Sequence, residues 1–134
     1  MNKIHGSCLC GSVTFAIADN EEHFYLCHCN QCQKSTGSAF AANIFTAVSN
    51  IEWLTGTELI KRYDINGRTI SNVFCSECGS RVPYVSKSGK HLVIPAGSLD
   101  SPVSIKPDAN IFWAEKAHWY LDGQSAKCFP HFPE

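Results

Sequence analysis

Long apolar runs are missing from this sequence of 134 residues: none approaches the roughly 18–20 residues of a membrane span, so no membrane partner is expected. Charge of one sign is equally scarce. Eleven Lys and Arg stand against twelve Asp and Glu, a formal net charge of −1, which excludes a strong overall field for nucleic acid or an anionic membrane. Basic residues come in scattered pairs such as Lys61-Arg62, so nucleic acid is not an expected partner. There is no internal repeat, low-complexity tract or linker, and one domain is expected over residues 1–134. The opening residues MNKIHGSC lack the apolar stretch of a secretory leader, and a cytoplasmic location is expected. With 44% hydrophobic and 17% charged residues the composition is that of a globular chain able to bury a core.

What is abundant is cysteine. The eight fall at Cys8, Cys10, Cys27, Cys29, Cys32, Cys75, Cys78 and Cys128, seven of them in three tight clusters, C-L-C, C-H-C-N-Q-C and C-S-E-C. Small secreted scaffolds use disulfides because they lack a core, whereas this chain can build one. Spacings of one and two residues suit thiolates converging on one ion better than long-range bridges. A C-x-x-C pair also serves redox chemistry, but three clusters together favour metal.

In FCSECGS, Gly79 follows the second cysteine and tolerates a positive φ, so the turn can aim backbone N–H groups at sulfur, as in a zinc knuckle. Cys75 and Cys78 supply two ligands and a structural site needs four. Cys8 and Cys10 in GSCLCGS are the matching pair. That leaves Cys27, Cys29 and Cys32, and three protein ligands with a fourth place open is the pattern of a catalytic zinc. Two alternatives stay open: Cys27 and Cys29 joining Cys75 and Cys78, or the triple completing a closed site with His28, Cys128 or a distant histidine. His28 lies between two ligands and suits a supporting role better than ligation. For Cys128 the plainest reading is a small buried hydrophobe.

Strand-like runs fill most of the remainder: Val13, Phe15 and Ile17 alternate in SVTFAI, followed by segments 23–27, 39–45, 58–65, 69–75, 81–85 and 91–97. Residues 65–68, Ile-Asn-Gly-Arg, read as a hairpin tip. Only residues 30–37 suggest a helix, short, with Asn30 as N-cap and Gly37 as terminator. A mostly antiparallel β domain pinned by zinc is expected. The aromatics after Pro102 (Phe112, Trp113, Trp119, Tyr120, Phe129 and Phe132) are read as covering the core or a sheet edge, with ligand stacking the alternative.

The segments GSCLCGSVTF, CHCNQCQKSTGSAF, FCSECGS, GSLDSP and IFWAEKAHW, in this order, resemble the glutathione-dependent formaldehyde-activating enzyme (GFA) family, which shares its domain with centromere protein V. The resemblance runs from near Ile4 to near Tyr120 and implies an all-β zinc-centred fold called a β-tent. By motif it implies Cys8, Cys10, Cys75 and Cys78 as structural zinc ligands, and Cys27, Cys29 and Cys32 as a second, catalytic or glutathione-responsive zinc site. Asn110 stands where the family usually has His, and His118 where it usually has Pro. Neither departure touches the seven cysteines.

The resemblance further implies a carbon–sulfur lyase that uses glutathione as co-substrate and forms or cleaves S-hydroxymethylglutathione with formaldehyde, or handles a related aldehyde–thiol adduct. A soft, thiolate-rich centre favours a thiol as its fourth ligand. A proton must move at the hemithioacetal oxygen, for which His28, Ser35 and Thr36 are the nearby candidates. Glutathione carries two carboxylates, and Lys34, just past the triple, is the substrate-binding candidate, with Arg81 second; either also fits an ordinary surface cation. The competing functions are a non-catalytic zinc-stabilised binding module, a glutathione carrier and a redox sensor.

Overall fold

The computed structural model describes residues 2–133. Three strands form one antiparallel sheet: β1 (Lys3–Ser7), β2 (Thr14–Ala18) and β5 (Glu52–Thr55), in the order β1-β2-β5. A second sheet contains β3 (His23–Cys27), β4 (Ala41–Thr46), β8 (Tyr84–Val85), β9 (Leu92–Pro95) and β10 (Ala109–Ile111), in the order β10-β3-β4-β9-β8. A hairpin of β6 (Ile60–Asp64) and β7 (Ser71–Cys75) stands apart from both. Two short α-helices, α1 (Asn30–Thr36) and α2 (Tyr120–Gln124), and three single-turn 3-10 helices complete the regular structure of the described residues. The expected mostly β architecture with short helices is what the chain adopts. The β10–β3 pairing is parallel and is the one departure from antiparallel order among the strand pairs of the described residues.

Burial explains where sequence pattern and structure part. In β2 the predicted inward residues Phe15 and Ile17 are buried, but so is Ala16 between them. A central strand covered on both faces does not alternate, and Val13 is buried just outside the strand. The hairpin tip at residues 65–68 forms as expected, closed by the Arg68 N–H donating to the Ile65 carbonyl at 3.2 Å. In α1 the cap is Cys29, not Asn30: its backbone is extended and its sulfur accepts from the Cys32 N–H at 3.3 Å. Gly37 ends the helix in the left-handed conformation, as its place in the sequence predicts.

The interior divides into three clusters. Ile4, Phe15, Ile17, Ile44, Leu92 and Ile94 join the two sheets. Cys8, Val13, Val73, Cys75, Val82, Tyr84 and Val93 form a second cluster, which ties the hairpin to the N-terminal turn. Cys27, Cys29, Cys32 and Ala41 form the third, with Ile70 and Ile111 packed against it. Two of the three clusters are therefore built around sulfur.

Candidate metal centres

Two tight turns carry the first group. After β1 the chain reverses at Cys8–Gly11, with the Gly11 N–H donating to the Cys8 carbonyl at 3.0 Å. After β7 it reverses again, the Gly79 N–H donating to the Cys75 carbonyl at 2.7 Å with φ of +77°, the geometry expected of this glycine. These turns bring the sulfurs of Cys8, Cys10, Cys75 and Cys78 within 4.8 Å of one another. Cys8 and Cys10 sulfurs are 3.6 Å apart and Cys10 and Cys75 sulfurs 4.0 Å. Zinc–sulfur bonds of about 2.3 Å in a tetrahedron require edges of about 3.8 Å, so the donor set fits one zinc ion. All eight cysteines are free thiols, which removes the disulfide reading.

The second group lies at the end of β3 and the start of α1. Cys27, Cys29 and Cys32 are each at most 3% exposed, with sulfurs again within 4.8 Å. Among the described residues no fourth His, Cys, Asp or Glu donor joins them. The alternative of Cys27 and Cys29 pairing with Cys75 and Cys78 is thus not what the fold assembles. Hydrogen bonds spread the proton affinities within each group. The neighbouring Cys32 thiol holds Cys27 down to about 6, and Cys27 together with burial pushes Cys32 far up. Ser80 holds Cys78 down to about 5, whereas burial pushes Cys75 up to about 11.

The C-terminal segment clamps this second group. Ile111 of β10 accepts from the His28 N–H at 2.9 Å, and the Glu115 side chain accepts from the Asn30 N–H at 3.0 Å. The Gln33 amide donates to the carbonyls of His28 and Glu115, both at 2.9 Å. His28 itself is fully buried, ringed by Phe40, Trp113 and Tyr120 at centroid distances of 5.2, 4.9 and 4.9 Å. Its Nε2 pairs with Asn110 Oδ1 at 2.9 Å, so the asparagine that departs from the family pattern braces the histidine.

Each proton-donor candidate is already engaged in this geometry. His28 is enclosed by aromatic rings, and the hydroxyls of Ser35 and Thr36 both donate to the Cys32 carbonyl, at 3.3 and 2.8 Å. Arg81 is also engaged, donating to Asn72 Oδ1 at 3.2 Å and to the Ser71 carbonyl at 3.1 Å. Lys34 is exposed and lines a cavity of about 320 Å³ with Gln31, Ser35, Tyr63, Ile65 and Asn72, between α1 and the β6–β7 hairpin. A larger cavity, about 560 Å³, borders the four-cysteine group, whose four sulfurs suffice for one ion.

Two expectations are corrected. Cys128 is exposed rather than a buried hydrophobe, because the chain after α2 leaves the core. The late aromatics do not act as one cover: Trp113 and Tyr120 pack on His28, while Phe129 and Phe132 are 54% and 83% exposed. Sequence reasoning saw Arg68 only as part of a turn. Its guanidinium lies 4.7 Å over the Phe112 ring and donates to Gln31 Oε1 at 2.9 Å, and no local motif signals those long-range contacts.

Fold and site together define a mostly β protein whose four-sulfur and three-sulfur groups could each hold a zinc ion. The profile of the glutathione-dependent formaldehyde-activating enzyme family matches residues 3–115, and the chain belongs to that family. Among solved structures, a Rhodobacter sphaeroides protein is similar with a TM-score of 0.55 and 21% identity, over 79% of this chain and 97% of that one, a likeness of fold. No curated protein matches the chain.

Proposed function

We propose that the chain is a carbon–sulfur lyase that forms and cleaves S-hydroxymethylglutathione from glutathione and formaldehyde at the three-cysteine group. The observation that carries this reading is the separation of the seven sulfurs into a set of four and a set of three without a fourth protein donor. Cys27, Cys29 and Cys32 would hold the second ion; Cys8, Cys10, Cys75 and Cys78 would hold the structural one. Bound zinc would supply a Lewis-acid centre that lowers the proton affinity of a coordinating thiol.

The remaining work falls to the protein. The apolar shell of Ala41, Ile70 and Ile111 keeps bulk water from the buried face of the triple. Lys34, on the wall of the 320 Å³ cavity, is placed to attract a carboxylate of glutathione. As the sulfur–carbon bond forms, the carbonyl opens and the thiol proton ends on the new hydroxyl. With the Ser35 and Thr36 hydroxyls bonded to a backbone carbonyl, solvent is the proton carrier in this reading. Cleavage is the reverse. The family name supports a small-molecule thiol and aldehyde as substrates.

The test measures formation and loss of S-hydroxymethylglutathione by exchange NMR, with wild type against Cys32→Ser. A rate above the uncatalysed one that disappears in the variant supports the reading. A second reading, glutathione binding without acceleration, is favoured by the engagement of the Ser35 and Thr36 hydroxyls with the Cys32 carbonyl. Tight binding of glutathione with no rate above background would select it.

A further inference from the structure

The open cavity of about 320 Å³ between α1 and the β6–β7 hairpin is lined by no acidic side chain, and two of its residues, Gln31 and Asn72, are amides. Each amide has an arginine at its oxygen. Arg68 Nη1–H donates to Gln31 Oε1 at 2.9 Å, and Arg81 Nε–H donates to Asn72 Oδ1 at 3.2 Å. A guanidinium carries donors only, so the amide atom that meets it is the oxygen and the NH2 end is left over. A side chain that could otherwise present either end is thereby fixed in polarity.

Both arginines are themselves held. Arg68 Cζ lies 4.7 Å from the centroid of the Phe112 ring, and Arg81 also donates to the Ser71 carbonyl at 3.1 Å. None of the ion pairs of the described residues involves Arg68, Arg81 or Lys34, so three uncancelled positive charges stand around the cavity. No side-chain hydrogen bond of the described residues takes up Gln31 Nε2 or Asn72 Nδ2. Tyr63 is the cross-strand partner of Asn72, so both project from one face of the hairpin, and Tyr63 and Ile65 add apolar surface. Two amide donors, one ammonium and an apolar floor complement a carboxylate carried on an organic arm.

We propose that the amides of Gln31 and Asn72, their polarity set by Arg68 and Arg81, join Lys34 in a carboxylate-binding wall that selects carboxylate-bearing thiols over neutral ones. The proposal rests on the reading of this cavity as the thiol-binding place and adds the residues that decide which thiols enter it. Cys32 stands between Gln31 and Lys34 in the chain, and in glutathione each carboxylate is several bonds from the sulfur, an arm able to link wall and triple.

The test is calorimetric titration of the zinc-loaded chain with glutathione and with its diethyl ester, which carries no carboxylate. Wild type is expected to bind glutathione at least about tenfold more tightly than the ester. Asn72→Asp keeps an oxygen for Arg81 and puts a carboxylate oxygen where the NH2 was, so that preference should fall about tenfold. Asn72→Ala removes the donor without adding charge and should lower it about threefold. Gln31→Glu makes the matching exchange at Arg68 on the exposed side of α1 and decides the matter should Asn72→Asp fail to fold. An unchanged preference in any of these variants that folds, or no preference in wild type, overturns the proposal. A preference that the variants lose, without a rate above background in exchange NMR, sinks the lyase reading and leaves the wall standing. A wild-type rate above background without any preference does the reverse.

Discussion

Serine in place of one cysteine from each group should have very different consequences. In Cys29→Ser the ligand sulfur is lost, but serine is itself a good N-cap and can accept from the Cys32 N–H that Cys29 caps at 3.3 Å. The destabilisation should be about 1 kcal/mol, a fall in Tm of about 4 °C for a chain of this size, with one ion lost per chain. Cys29→Ala loses the cap as well and should fall by about a further 1 kcal/mol. In Cys8→Ser a ligand of the four-sulfur group goes, and with it part of the cluster that ties β1 to the hairpin. Structural zinc contributes roughly 10–16 kcal/mol of folding free energy, about 3 kcal/mol per ligand. Against a total stability of roughly 5–15 kcal/mol, that predicts a fall in Tm of at least about 12 °C or loss of folding. Elemental analysis of purified protein and calorimetric melts read both quantities. Equal falls in Tm for Cys29→Ser and Cys8→Ser, or two ions retained by Cys29→Ser, would refute the division into a four-sulfur structural group and a separate three-sulfur group.

Three further outcomes are expected. A Cβ on Gly6 would lie 2.1 Å from Cζ of the fully buried Phe15, so Gly6→Ala should cost about 3 kcal/mol in urea unfolding, recovered largely by adding Phe15→Leu; no recovery would discount the clash. Asn110→Ala leaves buried His28 without its Nε2 partner, while its Nδ1 already lacks one, and should destabilise by about 2 kcal/mol; a neutral result would mean that water replaces the amide. Burial and the Asp19 carboxyl raise Glu21 from 4.5 to about 7. The folded chain thus holds that proton more tightly than the unfolded one, and its stabilisation is complete below about pH 4.5 and lost as pH rises through about 7. Glu21→Gln should therefore raise the unfolding free energy at pH 8 by about 1 kcal/mol after discounting for solvent screening, read as a higher urea midpoint, and leave it unchanged at pH 5.

Several elements were readable because their signals are local. The run HFYLC became β3 over His23–Cys27 without adjustment, and α1 ends at Gly37 as its sequence indicates. Others carry no such signal. Strand β10 is three residues long and pairs with Tyr25, Leu26 and Cys27, which lie more than eighty positions earlier, so nothing in Ala-Asn-Ile announces it. In β1, Gly6 and His5 mask an alternation that the structure shows plainly, Ile4 and Gly6 inward and Lys3 and His5 outward.

The sites divide in the same way. Chelate spacing is a property of neighbouring residues, so C-L-C, C-S-E-C and C-H-C-N-Q-C mark candidate sulfur ligands from the sequence alone. Which pairs meet depends on loops of more than sixty residues, and only the folded chain settles that Cys10 and Cys75 sulfurs come to 4.0 Å. The surroundings of the triple are further still from local chemistry. Arg68 and Phe112, and the Asn110 that braces His28, come from segments distant from Cys27–Cys32, and packing rather than pattern brings them to Gln31 and His28. Ligand identity follows from covalent spacing; the charge and access around those ligands follow from tertiary contacts, which no short stretch of residues encodes.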